Sequence, residues 1–447
     1  MTGGRGTLRE QESGGRSSLR EQVRRTSFLH LQPAPAADSR PRRLLLCLDG
    51  VPHRLIEAAK TRGLFDGFGP PTRLLSPFPT MTNVALSAML GASPPAGYES
   101  LYFDRNAGEL RGGIRKYIGR RTPDKMPSSY MDDLDYQEPL PFEFLIYVAP
   151  ESIWRADMQR FRERFRAAPQ TRDYFAFLKA TDGLLHAQGP GPLTVALESL
   201  DQILREIQNY CGAETEIVMF SDHGMNLEEN RRVNLATTLG RKGFQVVSQF
   251  TRNKRRELSI PAFGLCSYAA AYCGDQEAVP DVASALIDTP GIDFLVYKNG
   301  SEAVLESSRG RAVIERGGHD YRYLNTNGDP LELEATVKKL RDEGKLDQEG
   351  FAADSVWLEH TSAHRYPDAL ANIYASLFAP RVKHTADILI SLHDGYYYGW
   401  SPFGRFVRLA ATHGNALQSS SNAFLMSTHR HLPAYVRADD AKELLKR

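Results

Sequence analysis

The chain alternates between short, continuously apolar runs and longer segments whose apolar residues recur at helical spacing. RLLLCL at 43–48 and EIVMF at 216–220 are continuous runs, which are typical of strands buried on both faces of a parallel sheet. Leu193–Cys211 carries apolar residues at helical spacing and predicts a long amphipathic helix. Further strands are predicted for FEFLIYVAP and DILISL, and further helices for Pro52–Arg62, Trp154–Phe165 and Thr171–Ala180.

This order of elements predicts an α/β fold with a mostly parallel central sheet flanked by helices. The pattern changes after Phe244, where short β-like pieces such as FQVVSQF and DFLVYKNG follow one another. We therefore expect a smaller inserted α+β subdomain at 244–315, with the α/β core formed by 43–243 and 316–447. Residues 1–42 are rich in Gly, Ser, Arg and Pro, and predict a disordered N-terminal segment.

Composition limits the classes of partner. Lys and Arg number 55 against 54 for Asp and Glu, which argues against binding nucleic acid or a membrane surface by net charge. No apolar run approaches the ~20 residues of a membrane-spanning helix. The apolar stretch near the N-terminus is short and is broken by His30 and Pro33, so we expect no working signal peptide and a cytoplasmic location. The four cysteines form no C-x-x-C pair, so cysteine-ligated zinc is not supported.

Carboxylates and imidazoles stand beside glycines at several points where elements end. Because ligands of open α/β sheets lie beyond the carboxyl ends of the strands, we expect these side chains to converge on one cleft. They are Asp49 in LLLCLDG, Asp182 and His186 in TDGLLHAQGP (expected as a loop), Asp222 and His223 in MFSDHGM, and His413 in ATHGNA.

Imidazole nitrogen and carboxylate oxygen are the usual ligands of catalytic zinc. Two metal ions ~4 Å apart can clamp the attacking and leaving oxygens of a phosphoryl displacement. Ordinary explanations also exist: an Asp-Gly turn for Asp49 and a solvated loop for Asp182 and His186. His393, which follows the predicted strand DILISL, is the main rival ligand.

The segment PFPTMTN offers two hydroxyls, Thr80 and Thr82, directly before the helical run NVALSAML. A hydroxyl at the start of a helix is usually an N-cap. The same geometry lets a phosphate rest on the N–H groups of the helix, and an activated hydroxyl can then attack phosphorus. The residues alone leave both interpretations open.

These ordered motifs resemble the alkaline-phosphatase superfamily, specifically its nucleotide pyrophosphatase/phosphodiesterase branch, from about Leu44 to Pro433. The resemblance implies hydrolysis of a phosphodiester or pyrophosphate bond, with two zinc ions and a phosphothreonine intermediate on Thr82. It also implies the ligands: Asp182, His186 and His413 for the ion that orients water, and Asp49, Thr82, Asp222 and His223 for the ion that activates the nucleophile.

The chain departs from this family at two places. Asn83-Val84 follow the nucleophile position, where the family has an aromatic residue and a proline. Glu99 stands nearest to the family's asparagine that holds a phosphoryl oxygen, and Asn83 or Asn106 could replace that amide. We predict Asn83, Glu99 and Tyr102 as substrate contacts.

The expected partner is a small phosphorylated substrate, such as a nucleotide, a lipid head group or a phosphonate. Alternatives within the superfamily are a phosphomonoesterase and a phosphonate hydrolase. The alternative from another class is a non-catalytic relative that binds a partner through 244–315.

Overall fold

The computed structural model describes residues 42–114, 129–251, 254–379, 381–400 and 408–445. The predicted disordered segment lies outside the described residues, except for Arg42. The strands are β1 Leu44–Leu48, β2 Thr72–Leu75, β3 Leu101–Asp104, β4 Glu109–Gly112, β5 Tyr136–Gln137, β6 Tyr174–Leu178, β7 Ile217–Phe220, β8 Arg231–Arg232, β9 Gln245–Val246, β10 Glu257–Ser259, β11 Leu265–Cys266, β12 Tyr268–Cys273, β13 Ile292–Asn299, β14 Glu302–Ser307, β15 Gly310–Gly317, β16 Asp320–Gly328, β17 Ala352–Ala353, β18 Ile388–Leu392, β19 Tyr396–Gly399, β20 Asn422–Ser427 and β21 Tyr435–Arg437.

Helices lie between these strands. They are α1 His53–Thr61, α2 Thr82–Leu90, α3 Leu140–Leu145, α4 Pro150–Ala167, α5 Ala180–Gln188, α6 Pro190–Cys211, α7 Leu235–Arg241, α8 Val279–Leu286, α9 Glu334–Asp342, α10 Asp354–Thr361, α11 Ala369–Phe378, α12 Gln418–Ser421 and α13 Lys442–Leu445. Among the described residues, no helix combines the length and apolarity needed to cross a membrane.

A seven-stranded sheet in the order β21, β2, β20, β7, β1, β6, β5 forms the centre of the molecule. β1 pairs in parallel with β6 on one side and with β7 on the other, whereas β20 runs antiparallel to both of its neighbours. The prediction of an α/β fold with a mostly parallel central sheet is therefore confirmed.

The strand β1 is apolar throughout because both faces of the sheet are covered. Leu44, Leu46 and Leu48 pack into the core cluster that includes residues of α4, α5 and α6. Leu45 and Cys47 pack into another cluster, with residues of α2 and α13. Burial of a large apolar side chain contributes about 1.5–3 kcal/mol, so this strand is firmly held and fixes the position of the residue that follows it.

A second, nine-stranded sheet has the order β17, β16, β15, β14, β13, β18, β12, β10, β9. Its neighbouring strands are antiparallel, apart from the parallel pair β9 and β10. The expected subdomain at 244–315 falls in this region, but the strands of the sheet continue to Leu392. The proposed division into domains stays a prediction.

Three predicted elements differ from the structure. DILISL was expected in the central sheet, but it forms β18 between β13 and β12 of the second sheet. FEFLIYVAP was expected as a strand, but its first part lies in α3, where Pro141 occupies the first turn and its missing N–H leaves no helical bond unmade. Thr171–Ala180 was expected to be helical, but Tyr174–Leu178 is strand β6, buried at every position as a strand between two core layers requires.

Candidate metal centre

One group of ligands lies at the carboxyl ends of two adjacent parallel strands. Asp49 follows β1, and Asp222 and His223 follow β7. The Nε2 atom of His223 lies 3.6 Å from Asp49 Oδ1 and 3.3 Å from Asp222 Oδ2. The Gly50 N–H donates to Asp222 Oδ1 at 3.1 Å, which ties the two strand ends together. All three side chains are fully buried.

A second group joins helix α5 to the loop before α12. Asp182 and His186 are four residues apart and so lie on one face of α5, with His186 Nε2 3.2 Å from Asp182 Oδ1. His413 Nε2 lies 3.7 Å from the same oxygen. The prediction of a loop at Asp182–Pro190 was wrong, because α5 extends to Gln188. Within α5, Gly183 lies so near the side chain of Ile146 that a Cβ at this position would clash with it.

The three imidazoles share one pattern of hydrogen bonding. The Nδ1 atoms of His186, His223 and His413 each lie 2.8 Å from a backbone carbonyl oxygen, those of Ala411, Gly224 and Thr80 respectively. Because a carbonyl only accepts, each Nδ1 carries the hydrogen, and each Nε2 presents a lone pair. Histidines that bind metals are oriented in this way by their second nitrogen.

These Nε2 atoms face carboxylate oxygens, and in the neutral rings their lone pairs repel those oxygens unless a proton or a metal cation lies between them. Burial opposes protonation of His186, but Asp182 raises the pKa of this imidazole. Asp49 Oδ2, Asp182 Oδ1 and Asp222 Oδ2 are buried and have no hydrogen-bond partner among the described residues. Unpaired buried oxygens of this kind are costly unless they coordinate a metal. The two groups, Asp182/His186/His413 and Asp49/Asp222/His223, therefore fit two metal ions.

Burial shifts the protonation of these side chains. It raises the pKa of Asp49, and it raises the pKa of Asp222 to about 6. It lowers the pKa of His223 to about 4 and that of His413 to about 3. Burial also opposes ionisation of Asp182, but the neighbouring His186 and His413 lower its pKa. At neutral pH the two histidines are neutral, which is the form that binds metal.

Thr82 begins helix α2 and lies beside the Asp49 group. Its Oγ1 is 3.4 Å from Asp49 Oδ1 and 3.2 Å from His223 Nε2. The N-cap position of α2 is Met81, and no side chain caps the helix. The structure thus gives the Thr82 hydroxyl contacts with two candidate ligands in place of the N-cap role.

A cavity of about 300 Å³ opens from this centre. Thr82, Asp182, His186 and His413 line it together with Asn83 and Glu99. Its wall also holds the aromatic side chains of Tyr98 and Trp400, and charged and aromatic side chains that we did not predict: Lys179, Glu138, Glu143, Tyr130, Phe142, Tyr147 and Phe263. Lys179 directly precedes α5, and its position beside the motif of Asp182 could have indicated it.

Two of the three predicted substrate contacts, Asn83 and Glu99, line the cavity. Asn83 lines the cavity, and its Oδ1 accepts from Tyr130 Oη at 3.0 Å. Glu99 also lines the cavity: Oε2 accepts from the Gly264 N–H at 2.5 Å and Oε1 from Tyr268 Oη at 3.0 Å.

Three other candidates lie elsewhere. Tyr102 is not among the described residues that line the cavity, and its ring stacks on His384 with centroids 5.5 Å apart. Asn106, the other possible replacement for the family amide, follows β3, and its N–H donates to Asp104 Oδ1 at 2.9 Å. The rival ligand His393 belongs to neither group, and its Nδ1 lies 3.4 Å from Asp293 Oδ1.

The solved structures that align with this chain are distant from it in sequence. A phosphonoacetate hydrolase from Sinorhizobium meliloti, in complex with phosphonoformate, is 14% identical, with 90% of this chain and 94% of that chain covered and a TM-score of 0.48. The murine ectonucleotide pyrophosphatase/phosphodiesterase 5 is 12% identical, with 90% and 94% covered and a TM-score of 0.45. At these values the likenesses assign no substrate. A search of curated protein sequences found no match.

A family model gives the assignment. The model of the type I phosphodiesterase/nucleotide pyrophosphatase family matches residues 102–398, which is more than half of the chain. The matched range contains Asp182, His186, Asp222 and His223, whereas Asp49, Thr82 and His413 lie outside it. The match confirms the resemblance that the motifs indicated. This chain belongs to the type I phosphodiesterase/nucleotide pyrophosphatase family and is a hydrolase of phosphoric ester bonds.

Proposed function

We propose that this chain hydrolyses phosphodiester or pyrophosphate bonds of small substrates, using two zinc ions and Thr82 as the nucleophile. The observation that carries the proposal is the position of the Thr82 hydroxyl, within 3.4 Å of Asp49 Oδ1 and 3.2 Å of His223 Nε2. A hydroxyl is a weak nucleophile until a base or a metal activates it, and this one lies against a group of metal-type ligands.

Zinc is the metal that the donor set favours, because the ligands are imidazole nitrogens and carboxylate oxygens. Asp49, Thr82, Asp222 and His223 would hold one ion, and Asp182, His186 and His413 the other. When bound, the two ions would supply the positive charge that favours the ionised threonine and an ionised water.

The residues of the chain divide the reaction into two displacements. In the first, Thr82 Oγ1 gives its proton to solvent, forms a bond to phosphorus and displaces the alcohol or phosphate, whose bond to phosphorus breaks and which takes up a proton from solvent. In the second, water attacks the phosphothreonine, the bond to Oγ1 breaks, and the hydroxyl of Thr82 regains a proton. The N-terminal turn of α2, which begins at Thr82, would support the phosphoryl oxygens, because the N–H groups at a helix N-terminus favour anions.

The charged side chains around the cavity favour a diester substrate over a monoester. Glu99, Glu138 and Glu143 are carboxylates among its described lining residues, and Lys179 is the one cation beside the histidines there, paired with Glu143 at 3.1 Å. A monoester carries more negative charge than a diester, and each added charge is less favourable beside carboxylates. The aromatic side chains could pack against the organic part of a nucleotide or of a lipid head group.

The test compares substrates with the metal content of the same preparation. Purified protein should hold about two zinc ions per chain and hydrolyse bis-p-nitrophenyl phosphate faster than p-nitrophenyl phosphate or phosphonoacetate. Chelation by EDTA should abolish activity, and zinc should restore it. A protein without bound metal and without turnover would contradict the proposal and favour a non-catalytic binding role. The cytoplasmic location stays a prediction.

A further inference from the structure

Thr80 joins the turn before Thr82 to the loop that carries His413. The Thr80 hydroxyl accepts from the Gly414 N–H at 2.9 Å and donates to the Asn415 carbonyl at 3.1 Å. Its backbone N–H donates to the Gly414 carbonyl at 3.2 Å. Its own carbonyl accepts the Nδ1–H of His413 at 2.8 Å. Thr80 is completely buried, so these bonds are shielded from water.

The other side of the His413 loop is held through its backbone. The Asn226 N–H donates to the Thr412 carbonyl at 2.8 Å, and Asn226 Oδ1 accepts from the Thr412 N–H at 3.1 Å. The Ser267 N–H donates to the His413 carbonyl at 2.7 Å. These bonds fix the path of the loop, whereas the imidazole of His413 is oriented from the Thr80 side.

We propose that Thr80 is a positioning residue whose hydroxyl fixes His413 relative to Thr82 and so sets the separation of the two ligand groups. Thr80 stands two residues before Thr82. A displacement of the Thr80 turn or of the His413 loop would therefore change the distance between Thr82 and the group Asp182/His186/His413. This inference rests on the proposed function, and it assigns Thr80 no contact with substrate. The Thr80 hydroxyl already donates one hydrogen bond and accepts another, and the residue is completely buried. Thr80 is therefore not an alternative nucleophile.

Valine has nearly the shape of threonine but offers no hydrogen bond. Thr80→Val would leave the buried Gly414 N–H without an acceptor. Gly414 has a φ of +126°, and a Cβ added there would lie 2.9 Å from the Tyr268 ring, so the loop has little room to adjust. Residues that orient metal ligands typically change metal affinity or activity by 10- to 100-fold when they are removed.

The experiment compares Thr80→Val with Thr80→Ser, which keeps the hydroxyl. Thr361→Val is the matched control, since Thr361 is equally buried and its hydroxyl donates to the Trp357 carbonyl at 2.7 Å within α10. Zinc affinity is measured by competition with a chromophoric chelator, and kcat and KM with bis-p-nitrophenyl phosphate. We expect Thr80→Val to lose about 10- to 100-fold in affinity for one of two ions and a similar factor in kcat, with little change in KM. Thr80→Ser and Thr361→Val should retain the wild-type values.

Wild-type zinc affinity and kcat in a folded Thr80→Val protein would overturn the inference, as would an equal loss in Thr80→Ser. If Thr80→Val does not fold, Thr80→Cys replaces it, because a thiol is a weak donor and acceptor, and the same loss is required of it. If the wild-type protein binds two zinc ions but hydrolyses no diester, the proposed function fails. The inference is then decided by the zinc affinities alone.

Discussion

The imidazole rings of His223 and His413 stack with their centroids 3.9 Å apart, although they belong to different ligand groups. Two cationic rings at this distance would repel each other, and the pKa of His413 is lowered by burial and by the proximity of His223. The two candidate metal positions are thus adjacent parts of one centre. A phosphoryl group bound there could contact both, as a two-metal displacement requires.

Replacement of Thr82 separates metal binding from chemistry. We expect Thr82→Ala to retain zinc, because Asp49, Asp222 and His223 remain, and to lose activity by about a thousandfold or more, as for other nucleophiles. Thr82→Ser, which keeps a hydroxyl, is the control and should retain measurable turnover. Metal analysis and kcat with bis-p-nitrophenyl phosphate check the outcome, and an active Thr82→Ala protein would contradict the role of this hydroxyl.

Removal of metal should destabilise the fold around the centre. Without a cation, the carboxylates of Asp49, Asp182 and Asp222 face the Nε2 atoms of three imidazoles, and Asp49 and Asp222 are fully buried. Ligand present at 100 times its Kd adds about 2.7 kcal/mol to the free energy of unfolding, so EDTA should lower the Tm by several degrees. Differential scanning calorimetry of the zinc-loaded and the chelated protein measures this. Identical melting curves, with zinc loss verified in the chelated sample, would argue against a metal centre.

Zinc affinity should depend on pH through the carboxylates and through His186, because burial opposes protonation of this imidazole but Asp182 raises its pKa. Burial raises the pKa of Asp222 to about 6, so below this pH a proton competes with the metal for the carboxylate. The pKa values of His223 and His413 are about 4 and 3, so these imidazoles take up protons only at lower pH. Affinity should therefore fall as pH decreases from 7 to 5, by about tenfold per unit for each competing proton. Competition titrations check this, and an affinity that is constant from pH 5 to pH 7 would contradict it.

The packing of α5 should control one ligand group. Gly183 touches Ile146 so closely that Gly183→Ala would push the helix and move Asp182 and His186. We expect this substitution to weaken zinc binding by about tenfold or more, as a misplaced ligand does. Gly191→Ala is the control, because nothing lies within 4 Å of its added Cβ, and alanine should stabilise helix α6 by up to about 1 kcal/mol. Equal zinc affinity in both variants would show that α5 is not held by this contact.

The charge of Glu99 should influence the choice between diester and monoester. Glu99→Gln keeps the approximate shape of the side chain, and its amide oxygen can still accept a bond from Gly264 or Tyr268. We expect the ratio of kcat/KM for p-nitrophenyl phosphate to that for bis-p-nitrophenyl phosphate to rise by up to about tenfold, because one repulsive charge is removed. Glu109→Gln is the control, because Glu109 is a half-buried carboxylate on β4 that pairs with Arg111 and is not among the described residues lining the cavity. An unchanged ratio would assign no selective role to Glu99.

The sequence predicted correctly that Asp49 and Asp222 follow strands, but it did not predict that Asp182 and His186 lie on a helix. The strands LLLCL at 44–48 and IVMF at 217–220 are apolar at every position because both faces of the central sheet are covered, so Asp49 and Asp222 could be placed at one edge. The segment around Asp182 contains a glycine and ends before a proline. Both residues are typical of loops, so helix α5 was not predicted. That glycine is explained by the contact with Ile146, which is 37 positions away in the sequence and cannot be read from local pattern.

The supporting contacts could not be predicted from spacing. Thr80 and Gly414 are 334 positions apart and meet only because the loop before α12 returns to the nucleophile turn. Tyr102 was predicted as an aromatic side chain near the cleft that could stack on a base or pack against a lipid, but alternate residues of a strand face opposite sides, and its ring stacks on His384. Long-range pairing thus decides which side chains reach the cavity.

The stereochemical course at phosphorus tests the nucleophile most directly. A diester made chiral by one sulfur and hydrolysed in ¹⁸O-labelled water gives a product whose configuration can be determined by ³¹P NMR. Two successive in-line displacements, the first by Thr82 and the second by water, predict retention of configuration. Inversion would mean a single direct attack by water and would contradict a phosphothreonine intermediate on this chain.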